Sequence, residues 1–155
     1  MNKIFSFVLG RRLFVTILDF ALLLLAYSAL KTTWFGTLHT SSDHEPYREA
    51  VHLWEGFGTV LLGFGVILEE YDSLAKIFRT QISSELNHKY HTYGVLFVLI
   101  GVIIEILAWL IKIPDSVVNT SGIEQLLLQF AAVLALISFF LLLRFIFTIW
   151  FGQKH

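Results

Sequence analysis

The chain contains no cysteine, two prolines and one methionine. Without a thiol there is no disulfide, no thiolate nucleophile, no iron–sulfur ligand set and no c-type haem attachment. Charge is scarce as well: only 15% of the 155 residues are Asp, Glu, Lys or Arg, and the net charge is -1. No basic stripe exists to neutralise phosphates, so nucleic acid is not an expected partner. Nucleophile elbows, P-loops, zinc-protease helices and dinucleotide fingerprints are also missing. What fills the chain instead is apolar: 56% of residues are hydrophobic and 15% aromatic.

Those residues fall into four long runs. About 20 mostly apolar residues are enough to cross roughly 30 Å of hydrocarbon as a helix. Spans are expected at about 13–31, 47–68, 91–112 and 124–146. The predicted fold is an all-α integral membrane four-helix bundle made of two transmembrane hairpins, a single domain across the 155 residues. Between spans two and three, Leu74, Ile77, Phe78, Ile82 and Leu86 recur at helical spacing. With Lys76, Arg79 and Gln81 between them, they predict an interfacial amphipathic helix over 72–83. Ser42–Glu45 and Ser121–Glu124 are S-x-x-E capping boxes that open the helices after the two outer loops. Met1–Arg12 and the run behind it resemble an export signal, with Ala26-Tyr27-Ser28 as a cleavage site. Asp19 lies inside that run, which favours an uncleaved first span.

Basic residues are denser beside the N-terminus, the central connection and the C-terminus than in the two remaining loops. The positive-inside rule then puts both termini in the cytoplasm, with a bacterial-type cytoplasmic membrane as the expected location. Trp34, Trp54, Trp109 and Trp150, with Tyr47 and Tyr90, fall near span ends and read as interfacial belt residues. Glycines mark packing faces. Gly56 and Gly63 share one face of span two, Gly58 and Gly65 another, and Gly94 and Gly101 repeat the interval in span three. In lipid, helices associate by close approach through such small residues. Lys31 and Lys112, each ahead of a capping box, hint at duplication of one hairpin.

Polar residues within the spans are the informative ones, because a charge there costs at least ~2.5 kcal/mol on insertion scales. At similar depth toward the outer side lie Tyr27, His52 with Glu55, Glu105 and Gln129, one contribution from each span. Two carboxylates and an imidazole suit a proton or cation site. The structural alternative is a hydrogen-bonded layer that sets helix register. Glu49, His52, Glu55 and Glu105 are the metal candidates, and Glu49-Ala50-Val51-His52 has the E-x-x-H spacing of carboxylate-bridged bundles. The second E-x-x-H, Glu85–His88, belongs to the opposite membrane face, which argues against a two-metal centre. Bis-His haem needs two histidines at one depth on facing helices, and His52 has no such mate. Asp19 and Arg144 are expected to pair between spans one and four, and Glu69, Glu70 and Asp72 form an acidic inner mouth. The outer Asn119-Thr120-Ser121 is a glycosylation sequon, meaningful only in a secretory setting.

The reading that follows is a small non-enzymatic membrane subunit, in a homo-oligomer or a larger membrane complex. Lipid is its expected partner and no cofactor is expected beyond bound lipid. The competing readings are a proton or cation channel or transporter using the Glu/His cluster, and a redox subunit carrying haem, quinone or a metal.

Overall fold

The computed structural model describes residues 12–38, 45–77, 84–113 and 123–151. These residues form five α-helices and, among them, no strand. They are α1 (Arg12–Leu38), α2 (Glu45–Glu69), α3 (Tyr71–Ile77), α4 (Ser84–Lys112) and α5 (Glu124–Phe151). Four of them are long and apolar enough to cross a membrane: α1, α2, α4 and α5. The chain is an all-α four-helix bundle of membrane-spanning type. We call the end that carries Lys112 and Glu124 outer, and the opposite end inner.

The helices surround a shared core in the order α1, α2, α4, α5, with α5 returning to pack on α1. The α2–α4 contact is the most extensive. Glycine explains it. A Cβ on Gly65 would lie 2.7 Å from the Gly94 carbonyl oxygen, and one on Gly94 would lie 2.7 Å from that of Gly65. Seven residues away, a Cβ on Gly101 would lie 2.9 Å from the Gly58 carbonyl oxygen. Only hydrogen fits at these points. The two backbones touch twice, at a seven-residue interval that keeps the seam on one face of each helix. Gly56 and Gly63 take no part, and nothing lies within 4 Å of either ideal Cβ.

The inner half of the core is aromatic. Phe145 of α5 packs its ring against Phe64, Tyr90, Tyr93 and Phe97 at centroid distances of 5.0–6.1 Å. Tyr71 meets Tyr90 edge-on at 4.7 Å and so docks α3 onto α4. Burial pushes the Tyr71 phenol above its ordinary range, so this anchor stays neutral. Tyr90 is therefore a core residue and not a belt residue. The same correction holds for Trp54, which is 1% exposed, whereas Trp34, Trp109 and Trp150 are exposed. The side chain of Tyr47 lies outside the described residues.

Helix ends differ from expectation in informative ways. α4 begins at Ser84, two turns before the expected span, because Glu85 and Lys89 pair at 2.6 Å across one turn and Tyr90 is held by Tyr71. The expected interfacial helix is seen as α3 over Tyr71–Ile77, and 78–83 lie outside the described residues. α3 is joined to α2 by a turn at Glu70, across which Glu70 donates to Val66 and Leu74 donates to Glu70, both at 3.0 Å. α5 starts with Leu127 N–H donating to the Ile123 carbonyl at 2.9 Å. Ser42 and Ser121 of the two capping boxes lie outside the described residues, as do Lys3, Arg11 and the sequon.

Candidate functional site

Polar groups inside the spans fall into three sets. The simplest is a set of hydroxyls. Thr32, Thr33, Thr92, Ser138 and Thr148 each donate to the carbonyl four residues earlier at 2.9–3.0 Å. Such back-bonding satisfies a hydroxyl without any neighbour helix. Thr33 adds a second role: its oxygen accepts from Trp54 Nε1 at 2.9 Å, which ties α1 to α2 near the outer end.

The second set is an outer layer between α2 and α4, and the glycine seam builds it. Gly58 leaves space into which Glu105 fits: a Cβ there would lie 3.2 Å from Glu105 Cγ. Thr59, one residue on, donates to Glu105 Oε1. One turn further out, Lys112 donates to Glu55 Oε2, and His52 Nδ1 lies 3.6 Å from the same oxygen. The structure thus places Glu55 and Glu105 between α2 and α4, with the exposed His52 beside Glu55 on α2. Thr59 and Lys112 complete the layer, and the sequence reading assigned neither to it. Their spacing was the available signal: Thr59 lies one turn from Glu55, and Lys112 two turns from Glu105.

Tyr27 and Gln129 are not part of this layer. Tyr27 is 60% exposed, and Gln129 is exposed too. Each follows a buried residue, Ala26 and Leu128, and one residue turns the side chain by about 100° around the helix. Glu49 is exposed, and among the described residues no three of His, Asp and Glu converge as a metal site needs. The metal candidates Glu49, His52, Glu55 and Glu105 therefore do not form one site, since Lys112 holds Glu55 and Thr59 holds Glu105. At the inner end Glu69 and Glu70 are exposed, and Asp72 pairs with Lys76 within α3 at 2.6 Å.

The third set is a single residue. Asp19 is 0% exposed, and among the described residues neither of its carboxylate oxygens has a hydrogen-bond partner. The expected pair with Arg144 does not form. Arg144 precedes the buried Phe145, so it leaves α5 on a different face and is exposed. Its long side chain carries the guanidinium away from the core, as snorkelling arginines do. A carboxyl left alone in hydrocarbon is costly when charged, by ~2.5 kcal/mol at the centre of a span.

No protein-family model matches this chain, and neither a curated protein nor a solved structure does.

Proposed function

We propose that this small multi-pass membrane protein is a non-enzymatic membrane subunit that associates with further copies of itself through the outward face of α2. One observation supports the reading above the others. α2 carries two glycine faces; the bundle uses Gly58 and Gly65, while Gly56 and Gly63 meet nothing within 4 Å. Between them lie the exposed Thr59 and Val60. The outward faces of the other spans carry bulk suited to acyl chains, such as Phe20 and Leu24 on α1, Leu99 on α4 and Phe140 on α5. Bare backbone on α2 suits another helix better than it suits lipid. A two-fold arrangement would set the face against itself, so that each glycine pair meets its copy.

The outer polar layer supports the same reading. Glu55 and Glu105 are already engaged by Lys112 and Thr59, which fits a clamp that holds α2 and α4 in register. The test is mass photometry of the purified protein in mild detergent. The wild type is expected as a particle of two chains. Gly56→Leu combined with Gly63→Leu is expected to give single chains of unchanged helical content, since neither side chain meets the bundle. A wild-type particle of one chain overturns the reading.

A further inference from the structure

Asp19 remains unexplained by packing or by assembly. Val15, Asp19, Leu22, Ala26, Ala29 and Thr33 form the buried stripe of α1, all at most 6% exposed. Asp19 is the one ionisable residue in that stripe. The stripe faces the interior of the bundle, so a second copy on the α2 surface has no route to it.

Its depth follows from two bonds. Thr33 meets Trp54, so counting 14 residues back along α1 and 14 forward along α2 sets Asp19 level with Leu68. Thr16 accepts from Trp150 at 3.3 Å, so counting three residues from each sets Asp19 level with Phe147 of α5. The ionisable groups of the packed helices at this level are Glu69 on α2 and Arg144 on α5, and both are exposed. Across the bundle α4 brings Tyr90 and Tyr93, whose rings pack on Phe145. The span of α1 begins at Phe14 and ends at Trp34. Asp19 is therefore about 7.5 Å from the inner end and about 22 Å from the outer end, at 1.5 Å per residue.

We propose that Asp19 is a reversible proton-binding site in the interior of the bundle, exchanging its proton with the inner aqueous face. One carboxyl has too few oxygens to hold a metal, and no three candidate ligands converge among the described residues. A proton needs only one oxygen. With the proton bound, the carboxyl is neutral and suits its apolar stripe. When the proton leaves, the carboxylate lacks a donor among the described residues and must draw in water or displace α1. Proton exchange thereby links pH on the inner side to the packing of α1 against α2 and α5.

Two measurements on the full chain in lipid vesicles test this. Infrared difference spectra of wild type against Asp19→Asn should show the carbonyl stretch of a protonated carboxyl, lost reversibly as pH is raised. Dicyclohexylcarbodiimide supplies the second measurement. It adds a protonated carboxyl across one C=N bond: the proton goes to nitrogen, the oxygen to carbon, and acyl transfer to nitrogen leaves a stable N-acylurea with no leaving group. The peptide holding Asp19 should gain the reagent's mass, to a degree that declines as pH rises, and Asp19→Asn should not be labelled there. If Asp19→Asn does not fold, the pH course of the wild-type label decides by itself. The proposal fails if the folded wild type is never labelled at Asp19, or if label and band persist unchanged until alkaline unfolding.

Discussion

Thr33 shows how one hydroxyl in hydrocarbon is fully used. Its proton goes to the Ala29 carbonyl, and its oxygen is left to accept the Trp54 indole N–H. Trp54 must donate somewhere, because a buried indole N–H without a partner costs about as much as a lost hydrogen bond. Both residues are buried, and the bond is the polar link between α1 and α2 at the outer end. Trp54→Phe and Thr33→Val should each lower stability by ~0.6–1.7 kcal/mol, from the average to the largest value measured for interhelical bonds in a membrane protein. The double variant should lose little more than either single one, a non-additivity that thermal unfolding in detergent reads directly. Additive losses would show that the bond contributes nothing. The place of Trp54 was not legible in the sequence. A tryptophan near a span end is consistent with an interfacial belt or with a core, because both surroundings are apolar on one side. Asp19 was legible as an oddity, but that it has no hydrogen-bond partner among the described residues was not, since the sense of Arg144 around α5 depends on the rotation of that helix.

Among the elements, α2 and α4 form the rigid pair on which the rest is hung. Their seam explains why glycines recur every seven residues in both helices, and why they do so with opposite chain direction: Gly58 meets Gly101 and Gly65 meets Gly94. Gly65→Ala would put a Cβ 2.6 Å from the Val98 backbone nitrogen, where nothing can turn aside. The helices must separate, at a cost of at least ~1–3 kcal/mol for overpacking. Within a single chain Gly56→Ala adds a methyl in open space, so at a dilution where copies are apart it should leave stability within about 0.5 kcal/mol, as surface changes do. Chemical unfolding of the two variants in parallel checks this, and equal losses would refute the seam. Sequence spacing alone offered three glycine pairs and could not say which face turned inward. In lipid the hydrophobic pattern does not separate core from surface, because both faces of a span are apolar. α3 was legible as a helix because it lies outside the spans, but its buried face was not: Tyr71 and Ala75 are its buried residues, whereas of the expected stripe Leu74 is half-buried and Ile77 exposed.

For the whole molecule, the spans were legible and their direction in the membrane rests on charge. α4 and α5 have 29 and 28 residues, so each is roughly 42 Å long at 1.5 Å per residue, against about 30 Å of hydrocarbon. The excess must tilt or emerge, and at the inner end it emerges as the polar turn from Ser84 to Lys89 beside α3. Lys76 and Lys89 sit there, paired with Asp72 and Glu85, with Arg144 near the inner end of α5, while Lys31 and Lys112 lie toward the outer end. The positive-inside rule counts basic residues whether or not an acid pairs with them, and their excess at the inner end predicts that this end faces the cytoplasm. Because the chain has no cysteine, a single introduced thiol reports topology without background. Ser73→Cys places it on the exposed side of α3, and Ile123→Cys places it on the exposed outer end of α5. A membrane-impermeant maleimide applied to intact cells should label Ile123→Cys and leave Ser73→Cys untouched until the membrane is opened. The reverse pattern would invert the bundle, and the proton taken up by Asp19 would then come from the opposite compartment.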